Sequence, residues 1–273
     1  MEIDDLRKLI RELAISIGKT YEPLFAAVKQ VTDEYSESAR KIGLEVAFIG
    51  EQISKSLAPL VVDTTWIEEA IPRLENSLQK YKLILIDLEF PPYYGFDFNQ
   101  INSLVEVYEQ KGKGEAKKYL NDLIGKEFNR NQINIMFANW KRSTYINKSR
   151  SKILDEIHFA HTSRKYFLSV ATIIPQIEGV LIRGKKHKGR VNQKDILKLV
   201  KGLIDKGKFS IDKVLDIYFE TILYTGFTLN KKRASSLSRN AILHGIDIKY
   251  GNRINSIKCM ILFDYLLNKL DEQ

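Results

Sequence analysis

Cysteine is nearly absent from these 273 residues, and Cys259 stands alone. A single thiol excludes a disulfide framework and any cysteine-rich zinc module. Histidine is also scarce, four in all, which leaves little material for a metal cage. Glycine and proline, 15 and 6, are too few for a loop-rich all-β chain and favour helices. The opening stretch MEIDDLRKLIRELAISIG is acidic from its second residue and lacks the continuous apolar core of a signal peptide. No window approaches the uninterrupted apolar length of a spanning helix, since residues 57–62 and 83–88 are short and flanked by charge. The expectation is a cytoplasmic chain without a membrane span.

Hydrophobic residues make up 44% and charged residues 28%, ample for a buried core in one large domain or two ordinary ones. The net charge of +9 conceals a division. Residues 1–138 hold 17 Lys and Arg against 22 Asp and Glu, a net of −5. Residues 139–273 hold 26 against 12, a net of +14. A half so basic expects a polyanion: RNA, DNA or an anionic membrane. A basic solvated surface with no ligand is the plainer alternative.

Apolar spacing reads as helix throughout. Ile3, Leu6, Ile10, Leu13 and Ile17 alternate at three and four, and a second stripe runs from Leu24 to Leu57. That stripe is either an amphipathic face lying on its own domain or a coiled-coil seam, which Ser38 weakens. Helices are predicted over 65–82 into the apolar run 83–88, then 99–109, 114–124 after a Lys-Gly-Lys-Gly break, and 131–140. Two more fall within 148–183, with Pro175 expected to kink the second. The last four are predicted at 193–206, 210–225 (Ser210 as N-cap), 234–246 and 254–270. The fold class is all-α, with a helical N-terminal region at 1–145 and a C-terminal helical domain at 146–273. Between two helices, residues 183–190 form a basic, glycine-containing loop. Lys185, Lys186, Lys188 and Arg190 either grip phosphates there or belong to a mobile connector.

The segment Ser238-Arg239-Asn240-Ala241-Ile242-Leu243-His244-Gly245 carries the clearest chemistry. On a continuous helix, Asn240 and His244 share a face at i,i+4, so Asn240 is placed to orient the imidazole. Gly245 suits a helix end. An arginine to hold a phosphate and a histidine to move a proton are what RNA cleavage without metal requires. With 13 Arg and 4 His in the chain, an Arg-x4-His pair arises by chance roughly 0.2 times. Spacing alone therefore leaves open a helix-terminal histidine beside a surface arginine.

Arg239-Asn240-x3-His244-Gly245 resembles the Arg-polar-x3-His motif of the HEPN superfamily. Further segments resemble an uncharacterised bacterial and phage family with a C-terminal HEPN-like domain. They are Pro91-Pro92, Asn139-Trp140, Tyr166-Phe167-Leu168-Ser169, Ile174-Pro175-Gln176-Ile177-Glu178-Gly179, Tyr250-Gly251 and Asn255-Ser256-Ile257-Lys258. The resemblance covers roughly residues 85–268 and is best in the last 110, leaving the first 60 outside. It departs at Asn240, where relatives often carry histidine, so a second titratable group is missing.

The resemblance implies an antiparallel helical bundle that dimerises so that two motifs form one composite ribonuclease site. The implied reaction is metal-independent RNA cleavage by 2′-hydroxyl attack, with no cofactor. His244 would act as general base or acid, Arg239 would stabilise the phosphorane, and Asn240 would orient His244. A toxin or phage-defence effector is implied, with the acidic N-terminal half acting as regulator or as the seat of a protein partner. Glu178, in an otherwise apolar helix, either is drawn to the motif arginine and fixes it, or makes a structural ion pair or faces solvent. His158 and His161, three apart on one helix, have a metal-ligand spacing but no acidic or thiol companions, so packing is expected for them. Tyr250 either stacks on a base or packs on its own helix. Two other classes compete: a non-catalytic helical module binding RNA or a protein, and a coiled-coil or peripheral membrane assembly protein built on residues 3–57.

Overall fold

The computed structural model describes residues 65–204, 210–226 and 235–272. The expectations for residues 3–57 lie outside these. The described residues are helical with no strand among them, so the chain is all-α there. The order is α1 (Thr65–Asp87), α2 (Phe98–Glu127), α3 (Arg130–Trp140), α4 (Lys148–Thr162), α5 (Tyr166–Gly184), α6 (Gln193–Lys201), α7 (Asp212–Tyr218), α8 (Arg239–Leu243) and α9 (Arg253–Asp271). A π-helical turn, Phe219–Leu223, continues α7.

The predicted punctuation governs the chain locally. Within α2 the Lys-Gly-Lys-Gly break is a kink at Gly112, whose φ of 80° is left-handed. Asp97 opens α2 with a capping box to Gln100, and Asn129, Asn147 and Asn192 cap α3, α4 and α6 through their side-chain oxygens. The N-cap of α7 is Ile211, one residue after the expected Ser210, whose Oγ nonetheless accepts the Asp212 N–H at 3.1 Å. α5 runs through Pro175 as helix.

Two helices organise the core. Along α5, Val170, Ile173, Ile174, Ile177, Val180 and Leu181 form a stripe at helical spacing, all fully buried. By length and composition α5 alone among the described helices could cross a membrane; here its apolar residues pack against α9 and α4. α9 is buried on nearly every side, including Ile257, Met260, Leu262, Phe263 and Leu266. Truncating any of these to alanine costs about 2–5 kcal/mol. The residues from Ile67 to Gln273 form one compact unit, so the expected division after residue 145 falls inside it. Trp140 shows why helices on both sides share a core. Its indole Nε1 donates to Asp264 Oδ1 at 2.7 Å, and its ring packs edge-on against Phe263.

His158 and His161 are engaged separately. His158 Nε2 lies 2.8 Å from Asn134 Oδ1, whereas His161 Nδ1 lies 2.7 Å from Ser256 Oγ, itself 2.7 Å from Ser169 Oγ. Burial, then the charges of Arg253 and His158, lowers the His161 imidazole from 6.5 to about 4. The folded state therefore resists protonation, so this contribution to stability is full above pH 6.5 and is lost as pH falls toward 4. His161→Gln removes that titration. Its stability relative to the wild type is expected to rise by up to about 3 kcal/mol across that window, measured by urea unfolding at each pH. Parallel curves for the two proteins would refute it. Asp264, raised to about 6 chiefly by burial, acts with the opposite sign but in both proteins, and cancels from the comparison.

Candidate functional site

The motif segment is built differently from the continuous helix predicted over 234–246. Among the described residues of that span, only Arg239–Leu243 is helical. Serines cause the shortening, because their hydroxyls compete for backbone groups. Ser238 is the N-cap, its Oγ accepting the Ala241 N–H at 3.2 Å and donating to Thr225 O at 3.0 Å. Ser235 Oγ donates to Ile222 O at 2.8 Å. Ile222 and Thr225 belong to the π-helical turn and the chain just beyond it, where helical carbonyls lose their partners. Tyr224 O, between them, accepts Gln193 Nε2 at 3.3 Å. The motif segment and the start of α6 are thus docked onto the end of the π-turn.

Two further anchors fix the segment's ends. Asn255, buried at the start of α9, donates through Nδ2 to Ser236 O at 3.1 Å and to Tyr250 O at 3.0 Å. Glu89 sits at φ 53°, closing α1 in a left-handed conformation that costs about 1–3 kcal/mol. Its carboxylate accepts the Ser236 N–H at 2.8 Å and its carbonyl accepts Lys258 Nζ at 2.6 Å. Burial holds the Lys258 ammonium down to about 8.

Within this frame Arg239 is clamped. Its Nε donates to Glu178 Oε1 at 2.8 Å, Nη2 to Glu178 Oε2 at 3.4 Å, and Nη1 to Asn240 Oδ1 at 3.2 Å. The two charged side chains are 29% and 17% exposed. Tyr224 adds a third member: its hydroxyl donates to Glu178 Oε1 at 2.6 Å, and the Arg239 guanidinium lies 5.8 Å from its ring centre. Burial, then the bond to Glu178, holds the Tyr224 phenol far above its ordinary value. A guanidinium has five N–H donors, and three are spent here, which leaves two for an anion. Glu178 is paired with the motif arginine and turned away from solvent.

His244 keeps its i,i+4 relation to Asn240, its backbone N–H bonding to Asn240 O at 3.1 Å. The helix ends at Leu243, and His244 is its exposed C-cap residue, with φ −88° and ψ 3°. Asn240 Oδ1 is engaged by Arg239, so the structure places Asn240 with the arginine. Gly245 follows at φ 71°, its N–H reaching Ile242 O at 3.0 Å while the Ile246 N–H reaches Ala241 O at 2.8 Å, a Schellman ending. No atom would touch a β-carbon there, so Gly245→Ala should cost about 1–2 kcal/mol through backbone conformation alone. Chemical unfolding would show this loss, and a milder one for Gly245→Asn.

The chain matches no known protein family, no curated protein and no solved structure.

The basic loop begins where α5 ends. Lys185 is the C-cap, its Nζ donating to Gly202 O at 3.2 Å, while Lys186, Lys188 and Arg190 are exposed. Three residues after Arg190, Gln193 joins the loop's exit to Tyr224 and so to the Glu178–Arg239 pair. Tyr250 packs edge-on against Phe167, with ring centres 5.1 Å apart. Apolar side chains surround the histidine in sequence: Leu243, Ile246 and Ile248 are 41%, 44% and 72% exposed. The sequence gives no sign of a functional role for Tyr224, which reads as a core aromatic, or for Asn255 or Glu89. Tyr224 lies 46 residues from Glu178, and no local pattern links them.

Proposed function

We propose that this chain is a metal-independent endoribonuclease of the HEPN type, with Arg239 and His244 as its reacting groups. The carrying observation is an arginine clamped by Glu178 and Asn240 with two donors unspent, one short helix away from an exposed histidine. In this reading the ribose 2′-hydroxyl loses its proton and attacks the adjacent phosphorus. The bond to the 5′-oxygen breaks, leaving a cyclic phosphate and a 5′-hydroxyl. His244 takes the proton from the 2′-hydroxyl, and His244 of a second copy returns one to the leaving oxygen. Arg239 meets the charge that develops on the phosphorane oxygens.

A homodimer with a composite site belongs to the same proposal. The exposed Leu243, Ile246 and Ile248 support it, since a second copy would cover an apolar rim and bring two histidines together. The bundle would be HEPN-like, RNA the substrate, Lys186, Lys188 and Arg190 its electrostatic guides, and the setting a cytoplasmic toxin or phage-defence effector. Regulation would come from the acidic N-terminal region or a protein bound to it. The test is incubation of the purified full chain with RNA in EDTA. Cleavage that persists in the chelator and disappears in Arg239→Ala and His244→Ala supports the proposal. Intact RNA with retained binding would replace it with a non-catalytic binding module.

A further inference from the structure

One arginine in the α4–α5 hairpin has a hydrogen-bonding nitrogen that the fold leaves without a partner. Arg150 stands in the first turn of α4, its backbone N–H accepted by Asn147 Oδ1 at 2.9 Å. Its side chain lies across α5 at Gly179, where an added β-carbon would meet Nη2 at 2.7 Å. Glycine inside a helix costs about 1 kcal/mol relative to alanine, and here it opens the notch that the guanidinium fills. Nη1 is buried and has no hydrogen-bond partner among the described residues. Burial and the neighbouring charge of Arg183 both hold the Arg150 guanidinium below its ordinary value.

A partly buried cation beside a second cation is costly unless an anion joins them. Arg183 lies one turn beyond Gly179 on α5, and the first turn of α4 contains no acidic side chain. The α4 N-terminus contributes further positive potential from its backbone. Immediately beyond Arg183 the chain enters the basic loop. Glu178, holding Arg239, is one residue before Gly179, about 100° around α5. The two guanidinium sites therefore occupy adjoining faces of one helix.

We propose that Arg150 and Arg183 form a phosphate-binding subsite that holds a backbone phosphate of single-stranded RNA beside the Arg239 site. A phosphate suits it because guanidinium groups bind such oxyanions with paired, charge-assisted hydrogen bonds. The choice of RNA as the source of that phosphate rests on the ribonuclease reading.

The test is the salt dependence of binding to a single-stranded 2′-O-methyl RNA oligonucleotide, which cannot be cleaved by 2′-hydroxyl attack. Fluorescence anisotropy on the full chain gives the slope of log affinity against log salt. For single strands, neutralising one phosphate fewer lowers the magnitude of that slope by about 0.7. Arg183→Gln and Arg150→Gln should each lower it by about that amount and weaken low-salt binding severalfold. Unchanged slopes in variants that melt like the wild type would overturn the subsite. Should Arg150→Gln fail to fold, Arg183→Gln, at an exposed position, decides alone. If inorganic phosphate at constant ionic strength raises the melting temperature of the wild type but not of Arg183→Gln, while the RNA slope is unchanged, the ligand is free phosphate and the RNA assignment falls. Absence of cleavage by the wild type in EDTA would sink the ribonuclease reading, yet leave this binding comparison standing.

Discussion

His244→Ala is expected to reduce RNA cleavage in EDTA by roughly 10²–10⁴-fold, the usual contribution of a positioned proton-transfer group. Stability should change by less than about 0.5 kcal/mol, because the side chain is exposed and its backbone position as a helix C-cap suits most residues. Arg239→Ala should cost roughly 10²–10³-fold through lost stabilisation of the phosphorane. The two acting as a unit, the double variant should fall little below the worse single one. Single-turnover rates on an end-labelled RNA make the comparison, with the cyclic phosphate end as a chemical signature. Full activity in His244→Ala would end the ribonuclease assignment whatever the arginine variant did. In a composite site that uses both histidines, mixing wild type with excess His244→Ala should lower activity below what dilution alone gives, because mixed dimers carry one histidine where the reaction uses two. A monomeric site would show no such poisoning.

The parts of this molecule that were legible in the sequence are those governed by short-range rules. Apolar spacing located the helices, the Lys-Gly-Lys-Gly break the kink at Gly112 in α2, and Gly245 the end of α8. The departures cluster where side chains compete with the helix for backbone groups. Residues 235–238 carry three serines, and two of them bond to carbonyls near the π-helical turn in place of extending α8. The i,i+4 relation of Asn240 to His244 survives that shortening, since the His244 N–H still bonds to Asn240 O at 3.1 Å. The clamp on Arg239 was half visible, since a lone carboxylate in an apolar helix needs a partner. Tyr224 was invisible, because its place depends on a π-turn that adds an extra residue to the helical turn, and no sequence period marks one. Asn255 joins residues 19 and 5 positions away, a link that only the packing of α9 creates.

Glu178 distinguishes a catalytic clamp from an ordinary ion pair, and a series of substitutions there should have the second largest effect. Glu178→Ala leaves Arg239 Nε and Nη2 and the Tyr224 hydroxyl without their acceptor in a partly buried setting. The expected stability loss is about 1–3 kcal/mol. Freed from the clamp, the guanidinium samples other rotamers, and a misplacement near 1 Å costs roughly 10²-fold in rate. Glu178→Gln keeps the shape and one acceptor oxygen but removes the charge that fixes the arginine. It should retain most of the stability while still losing much of the rate. Tyr224→Phe removes a single bond to Glu178 and leaves both arginine bonds, so its rate loss should be the smallest of the three. Were Glu178 only a structural ion pair, rate would follow stability through the series, and Glu178→Gln would cleave RNA nearly as well as the wild type. Affinity for uncleavable RNA should change little in Glu178→Gln, since the clamp governs where the arginine sits and the basic loop supplies most of the attraction. A loss of cleavage without a matching loss of binding or of fold therefore marks positioning, and rate falling in step with unfolding would refute it.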